Sequence, residues 1–202
     1  MKRLIVLGFA LIYVLGFTAC NSVQHEHNKD NINLSSSDFS SQDPKSYAFA
    51  AQYIRTDGYS EDRNYPYHVV IDSKEELEAY YEANKDLFDL ERKEVISSDN
   101  TIGFLDACDK YDDNYFGSHN LVLIILEEGS GSIRHEITDV SARSDENGVS
   151  LGWDITINRV VPEIGTADMA QWHLFLEVQA ENSITDEDSV WINGYLSYGG
   201  EL

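Results

Sequence analysis

The chain has 202 residues, 42% of them hydrophobic, and its 36 acidic and 14 basic residues give a net charge of −22. Such an acidic surface repels nucleic-acid phosphates and anionic lipid head groups. We therefore expect no nucleic-acid partner and no direct adhesion to a charged membrane surface. The length suits one domain of about 150 residues behind a leader segment.

The N-terminus has the layout of a secretory signal. Lys2 and Arg3 precede an apolar run, Leu4 to Phe17, and small residues lead from there to Cys20. The run is too short for a stable membrane span and ends at a processing site. With Cys at the cleavage position, the segment resembles a bacterial lipoprotein signal. This resemblance implies a signal peptide at 1–19, lipidation of Cys20, and a place on the outer face of a bacterial membrane, with the lipid as the only membrane contact.

Two other interpretations of this segment stay open: an ordinary signal peptide with a coincidental Cys20, and an uncleaved anchor. Phe17 stands where the lipoprotein signal more often has Leu. Residues 20–45 are rich in Asn, Ser, Asp and Gln and too poor in apolar side chains to form a core, so we predict a disordered tether. His25 and His27 within it are more often incidental than metal ligands. If Cys20 carries lipid, Cys108 has no disulfide partner and is predicted to be a small core residue.

Residues 46–202 are predicted to form a single α+β domain. Aromatic and β-branched residues at 47–54 and 67–71 favour two strands. Ser73 and Glu76 have the spacing of a capping box, which predicts the start of one main helix at about 74–88. Phe104-Leu105, Cys108 and Tyr111 indicate a short second helix.

The second half of the domain is predicted to consist mainly of β-strands. Leu121 to Leu126 is apolar on both faces, as expected for a central strand. Asn147-Gly148 predicts a hairpin turn, and the alternation slips at Thr138–Asp139, which indicates a bulge. A last strand is expected at 190–198. We therefore predict a domain dominated by antiparallel sheet, as a β-sandwich or a curved sheet. Two alternating sets are predicted to face the core: Val149, Leu151, Trp153, Ile155 and Ile157, and Trp172, Leu174, Leu176 and Val178.

The chain carries no motif of a known catalytic class, so we predict a non-enzyme with no catalytic residues and no cofactor. His68 is expected to be a satisfied sheet histidine, His119 to cap a strand entrance, and His173 to lie on a partner or cover surface. One cluster of oxygen-bearing side chains could form either a solvated acidic turn or a calcium site. It consists of Asp109, Asp112, Asp113 and Asn114. The spacing of an EF-hand loop is absent, so we predict no metal site.

One family resemblance spans about residues 67–178. Glu75-Glu-Leu77 in a capped helix, Tyr111 to Phe116 before His119-Asn-Leu-Val-Leu123, and the following hairpin look like the C-terminal domain of the PrcB type. That family typically has a Gly-Gly-Tyr-like segment after the central strand, where this chain has Gly129-Ser-Gly-Ser132. Its namesake is a lipoprotein subunit associated with a surface protease. The resemblance implies an anchored accessory or binding protein and carries over no catalytic residues.

Two functional hypotheses follow. The first is a lipid-anchored, extracytoplasmic, non-catalytic binding or accessory protein that engages a protein or cell-envelope partner. It predicts a surface on which aromatic side chains are exposed together. The alternative is a small-molecule or cation binder, or an unrecognised hydrolase, which predicts a deep pocket lined by His and carboxylates. The aromatic residues in question are Tyr59, Tyr65, Tyr195 and Tyr198.

Overall fold

The computed structural model describes residues 45–58, 63–91, 102–182, 184–185 and 187–199. The predicted signal peptide at 1–19, Cys20 and the tether up to residue 44 lie outside these residues. The elements are, in chain order, β1 (Phe49–Thr56), β2 (Tyr67–Ile71), α1 (Lys74–Asn84), α2 (Phe104–Cys108), α3 (Asp113–Phe116), β3 (His119–Glu128), β4 (Arg134–Ser144), β5 (Ser150–Val160), β6 (Ala170–Gln179), a 3-10 turn (Ala180–Asn182), β7 (Val190–Ile192), β8 (Tyr195–Leu196) and β9 (Tyr198–Gly199).

The strands form two sheets that pack face to face. One sheet has the order β1-β6-β3-β2-β9 and the other has the order β4-β5-β7-β8. The prediction of an α+β domain dominated by its sheet is confirmed, and its form is the β-sandwich. None of the helices in the described part of the chain has the length and apolar character needed to cross a membrane.

Two cores lie on opposite faces of the five-stranded sheet. The core between the sheets joins Trp172 and Leu174 to Trp153 of the other sheet. The core under the helices joins Leu123 and Phe175 to side chains of α1 and α2. Because β3 and β6 are covered on both faces, they carry apolar residues at successive positions, as predicted for Leu121 to Leu126.

The chain crosses from one sheet to the other at both edges of the sandwich. At one edge, the N–H of Tyr47 donates to the carbonyl of Val140 (2.8 Å) before β1 begins. At the other edge, Ser197 separates β8 from β9, and its N–H donates to the carbonyl of Val190 (2.7 Å). Both edges are therefore bridged by main chain, which limits the exposure of unpaired strand edges.

The two ends of the sandwich differ in what they carry. We call one end the tether end, because residues 45–47, which follow the predicted tether, hydrogen-bond to β4 there. The turn of the β4–β5 hairpin lies at the same end. At the far end, Glu128 of β3 pairs with Ala170 of β6, and Arg134 of β4 pairs with Val160 of β5. The 10 residues of β6 separate the ends by about 33 Å at ~3.3 Å per residue.

Helix α1 begins with the predicted capping box. The Ser73 hydroxyl accepts from the N–H of Glu76 (3.3 Å), and the Glu76 carboxylate accepts from the N–H of Asp72 (2.9 Å). The α-helix ends at Asn84 rather than at residue 88, and turns continue to residue 91. Asp89 has a positive φ of 50°, the left-handed conformation that commonly ends a helical segment.

The hairpin and the bulge are confirmed, but the exposure of one strand differs from the prediction. The register of β4 against β5 shifts between Ile137 and Asp139. Val149 and Leu151 were predicted on the buried face, yet they are 59% and 46% exposed. β7 pairs with β5 only from Trp153 onward, so the hairpin tip projects beyond its neighbouring strand.

The C-terminal segment departs most from the sequence-based prediction. A single strand was expected at 190–198, whereas the chain forms β7, β8 and β9 and changes sheets after β8. β7 is parallel to β5 and β9 is parallel to β2, so the predicted run of antiparallel strands is wrong here. Asn193 and Gly194 both have positive φ, which is the requirement of the tight turn that joins β7 to β8.

Candidate functional site

A cavity of about 260 Å³ opens between the two sheets at the far end. Residues of both sheets form its walls, with apolar side chains such as Leu126 and Ile157 beside polar ones. Its volume lies just under the range of typical ligand pockets, ~300–1,000 Å³, so it suits one ring-sized group or one side chain. The lining residues that carry the argument are Tyr65, Glu128, His135, Ile157, Arg159 and Tyr195.

Three ionisable side chains meet at this cavity. Glu128 is the last residue of β3, His135 lies near the start of β4, and Arg159 lies near the end of β5. His135 Nε2 lies 2.9 Å from Glu128 Oε1. Arg159 donates through Nε to Glu128 Oε1 (2.7 Å) and through Nη2 to Oε2 (2.6 Å). This is a bidentate pair, the geometry in which a guanidinium fixes a carboxylate most firmly.

The protonation states of this cluster follow from its contacts. Burial acts to raise the pKa of Glu128, but the hydrogen bonds from Arg159 and His135 outweigh it and hold that pKa below its usual value. Burial lowers the pKa of His135, against the opposing effect of Glu128. The cluster of Glu128, Arg159 and His135 therefore contains a carboxylate, a guanidinium and a neutral imidazole with a net charge of zero, and Glu127 also lines the cavity.

The tautomer of His135 is set by Glu128. An ionised carboxylate only accepts hydrogen bonds, so Nε2 of His135 carries the proton and Nδ1 is an acceptor. Nδ1 is buried and has no hydrogen-bond partner among the described residues. The ring packs edge-on against Trp172, with a centroid distance of 5.5 Å. Both nitrogens are thus closed to water, which leaves His135 unsuited to proton transfer.

Two tyrosine side chains line the cavity. Tyr65 is half-buried, and Tyr195 is 73% exposed. Leu196 and Tyr198, which follow on β8 and β9, are also exposed large side chains. Of the four tyrosines predicted to be exposed together, Tyr195 and Tyr198 are exposed, whereas Tyr65 is half-buried and its hydroxyl is shielded from solvent. Tyr59, the fourth, lies outside the described residues.

His173 occupies a different environment from the one expected. It is fully buried beneath the helices, where Nδ1 lies 2.9 Å from the Thr56 hydroxyl and Nε2 lies 2.8 Å from the Tyr80 hydroxyl. Burial, followed by the nearby charge of Arg63, lowers its pKa to about 3. It is a neutral core histidine on the covered face of β6 and is closed to any partner.

The other predicted histidines have structural contacts. His68 Nδ1 lies 3.0 Å from the Ser197 hydroxyl, which ties β2 to the crossing between β8 and β9. His119 Nδ1 lies 2.9 Å from the Ser118 hydroxyl, at the entrance of β3. The expectations for His68 and His119 are confirmed in this sense. The hydroxyl–imidazole pairs of His68 and His173 are buried, so neither offers an accessible nucleophile.

The acidic cluster of residues 109–114 has a structural use. Asp112 is the N-cap of α3, where its carboxylate accepts from the N–H of Tyr115 (2.9 Å), and that backbone hydrogen bond is the main cause of its lowered pKa. This short helix was not predicted. No three His, Cys, Asp or Glu side chains within the described ranges come together as a metal site.

Cys108 borders a second cavity, of about 470 Å³, between α1 and α2. The thiol is half-buried, and burial, with a further effect of Asp109, raises its pKa to about 12. Such a thiol stays protonated at neutral pH and is a poor nucleophile. The side chains that line this cavity include Leu77, Tyr81 and Tyr111.

Neither a family model, nor a curated protein, nor a solved structure matches this chain. The resemblance to the PrcB-type domain has no support from these comparisons and stays a prediction. The function therefore has to be argued from the site itself.

The Glu128–His135–Arg159 cluster was not predicted, although the sequence contains a signal for it. His135 alternates with Ile133 and Ile137, which places it on the inward face of β4. Arg159 continues the inward series of Trp153 and Ile157 on β5. His135 is buried, and a polar side chain at a buried inward position requires a hydrogen-bond partner. The sequence could not indicate that Glu128, on another sheet, supplies it.

Proposed function

We propose that this chain is a lipid-anchored, extracytoplasmic, non-catalytic binding protein that engages a protein or another component of the bacterial cell envelope. The observation that carries the proposal is an exposed tyrosine at a cavity in which Glu128, His135 and Arg159 are engaged with one another. Tyr195 lines this cavity and is 73% exposed, and Tyr198, on the neighbouring β9, is 52% exposed. Exposed aromatic side chains are enriched where proteins recognise partners.

The chemistry of the cavity favours recognition over reaction. A general base needs an accessible lone pair close to the proton it removes, and a nucleophile needs a base beside it. Glu128 is engaged by Arg159 and His135, and the nitrogens of His135 are closed to water. The cavity instead offers a recess with both apolar and charged lining side chains, Leu126 and Ile157 beside the Glu128–Arg159 pair, with room for one side chain or ring of a partner.

The predicted anchor complements this function. A diacylated or triacylated Cys20 binds a membrane stably, since each buried methylene contributes about 0.8 kcal/mol. Loss of residues 1–19 removes Lys2 and Arg3 and takes the charge from −22 to −24. The resulting negative surface keeps the domain apart from anionic lipid heads and leaves its binding surface available to a partner.

The proposal is tested by affinity capture of the full-length, tagged, lipidated chain from solubilised envelopes at rising salt. We expect a stoichiometric partner that survives moderate salt. Tyr195→Ser should reduce its recovery, whereas Leu105→Ser should not, because Leu105 is also exposed but lies on α2 in the helical layer. A folded wild-type chain that captures no stoichiometric partner at any salt would overturn the proposal.

A second candidate function, small-molecule or cation binding, is favoured by one observation: His135 and Glu128 line the same cavity. The test is a thermal-shift screen of the folded chain with calcium and with small uncharged and charged compounds. A saturable shift in the wild type that disappears in Tyr195→Ser would favour this function over engagement of a macromolecule.

A further inference from the structure

The dipeptide Asn-Gly occurs twice in the chain, each time in a tight turn. Asn147-Gly148 lies in the turn between β4 and β5, and Asn193-Gly194 lies in the turn between β7 and β8. An Asn side-chain amide is open to attack by the next main-chain nitrogen when the following residue is Gly, because Gly has no Cβ to obstruct the approach. The two pairs therefore share one chemistry, and the contacts of each Asn decide whether it reacts.

The side chain of Asn193 is held at both ends by the main chain of one residue. Its Oδ1 accepts from the N–H of Ile157 (2.8 Å), and its Nδ2 donates to the carbonyl of Ile157 (3.0 Å). Its own N–H donates to the carbonyl of Ile155 (3.0 Å). For the amide carbon of Asn193 to turn toward Gly194, both side-chain bonds must break and leave two main-chain groups of Ile157 without their partner. The fold therefore opposes the reaction at Asn193.

The side chain of Asn147 is held by a single contact with a neighbouring side chain. Its Nδ2 donates to the carboxylate of Asp145 at 3.4 Å, which is long for a hydrogen bond, and its Oδ1 accepts none from the described residues. Asn147 is exposed, so water replaces this contact when the amide turns away. The amide of Asn147 is therefore free to reach the next main-chain nitrogen, whereas the amide of Asn193 is not.

The attacking nitrogen belongs to Gly148, and its surroundings are open. A Cβ placed on Gly148 meets no atom within 4 Å. The N–H of Gly148 donates to the carbonyl of Asp145 (3.0 Å), so one hydrogen bond of the turn has to open before the reaction. That opening is local, because β7 pairs with β5 only from Trp153 onward and Val149, next to the turn, is 59% exposed.

We infer that Asn147 is a site of spontaneous deamidation and isomerisation, and that the fold protects Asn193 from the same reaction. The nitrogen of Gly148 forms a bond to Cγ of Asn147, the bond from Cγ to Nδ2 breaks, and ammonia leaves with the proton of the attacking N–H. Water then opens the resulting cyclic imide at one of its two carbonyl carbons. Opening at Cγ gives aspartate, and opening at the main-chain carbonyl gives isoaspartate. Water is the only co-reactant, and no atom is oxidised or reduced.

The products change the charge and the geometry of the hairpin turn at the tether end. Asp145, Glu146 and the new carboxylate follow one another, and the net charge goes from −22 to −22 − 1 = −23. Isoaspartate also adds one carbon to the main chain before Gly148. The Asp145 carboxylate now accepts from the N–H groups of Asn147 (2.9 Å) and Val149 (2.8 Å), and the added carbon changes the spacing of these two donors.

The experiment is peptide mapping by mass spectrometry after incubation of the full chain at 37 °C and pH 8. Trypsin cleaves after Arg143 and Arg159 and so places the two Asn-Gly pairs in separate peptides, in which tandem spectra locate the modified residue. The same protein in concentrated urea gives the rate of each pair without the fold. That rate divided by the rate in the folded chain is the protection factor of the site. Gly148→Ala is the chemical control, because the added Cβ obstructs the attack on Asn147 and leaves Asn193 as it is.

We expect the protection factor of Asn193 to exceed that of Asn147 at least tenfold, with both aspartate and isoaspartate among the products at 147. Gly148→Ala should lower the conversion at 147 at least tenfold in the folded chain and leave the rate at Asn193 unchanged. A smaller ratio of the two protection factors, or greater protection at 147, would overturn the inference. Aspartate without isoaspartate would also overturn it, because direct hydrolysis of the amide then replaces attack by Gly148.

Discussion

His173 Nε2 lies 2.8 Å from the hydroxyl of Tyr80, and this buried contact joins the centre of the five-stranded sheet to helix α1. Because the hydroxyl of Thr56 can donate to the carbonyl of Gln171 (3.4 Å), it is able to accept from Nδ1–H of His173. Tyr80 then donates to Nε2. Removal of the Tyr80 hydroxyl leaves a buried imidazole nitrogen unsatisfied.

We expect Tyr80→Phe to lower the free energy of unfolding by about 1–3 kcal/mol, the cost of an unpaired buried polar group. Urea denaturation at pH 7.5 measures this directly. Tyr81→Phe is the matched control, since the Tyr81 hydroxyl donates to Glu91 (2.7 Å) at an exposed position. Equal effects of the two substitutions would contradict the role assigned to the His173 contact.

The same histidine makes stability depend on pH. Burial lowers the pKa of His173 to about 3, whereas an unfolded chain has a His pKa of about 6.5. Between these values the unfolded chain binds a proton that the folded chain does not, so the stabilising contribution is complete above pH 6.5 and is lost as pH falls. One such group changes the free energy of unfolding by up to about 1.4 kcal/mol per pH unit.

We therefore expect urea midpoints to decrease steadily from pH 7 to pH 5, above the range in which most carboxylates titrate. The lowered pKa of His135, caused first by burial, adds to this slope in the same direction. His173→Gln should reduce the slope without abolishing it, even though the variant is less stable throughout. A wild-type midpoint that does not change over this range would show that the imidazole is not buried as described.

The secondary structure that depends on local chemistry was predictable from sequence. The alternation of Trp172 with Leu174 indicates a strand, and Phe175 on its other face indicates cover on both sides. The Asn147-Gly148 pair indicates a hairpin. Each signal involves residues that are neighbours along the chain. The same turn signal exists at Asn193-Gly194 and was overlooked. It would have divided the predicted strand at 190–198 into two.

The long-range features were less accessible from sequence. The chain passes from one sheet to the other between β8 and β9. This crossing depends on contacts between residues far apart in the chain, such as the hydrogen bond from the N–H of Tyr198 to the carbonyl of Pro66 (3.1 Å). The candidate site also depends on long-range contacts, since Glu128, His135 and Arg159 lie on three different strands. Period-two patterns place a side chain on a face, but they do not identify which strand lies opposite.

A backbone contact at Gly152 provides a third test. Gly152 has a φ of 120°, and a Cβ there would lie 1.9 Å from the carbonyl oxygen of Ser189, just before β7 begins. We expect Gly152→Ala to destabilise the fold by at least about 3 kcal/mol, since both the strained backbone and the clash must be relieved. The change in urea midpoint measures the cost.

Gly148→Ala is the control for this effect. Gly148 also has a positive φ, of 79°, but a Cβ there meets no atom within 4 Å. Its cost should be limited to the conformational penalty of about 1–2 kcal/mol. If the two alanine variants were equally stable, the close parallel approach of β7 to β5 would be wrong.

Replacement of Trp153 should affect the sandwich severely. It lies between the two sheets, is 7% exposed, and its ring centroid lies 4.5 Å from that of Tyr47. Truncation of a buried Trp costs about 3–5 kcal/mol, and a carboxylate at the same place adds the cost of burying a charge. Trp153→Asp should therefore remove most of the ~5–15 kcal/mol that stabilises a typical domain.

Leu151→Asp is the matched control, two residues earlier on the same strand. Leu151 is 46% exposed, because the hairpin extends past the cover of β7. Its substitution should change stability by less than about 1 kcal/mol. Circular dichroism melts of the two variants distinguish the outcomes: a cooperative transition near that of the wild type is expected for Leu151→Asp and is absent for Trp153→Asp. Retention of the wild-type melting temperature by Trp153→Asp would contradict a core built between the two sheets.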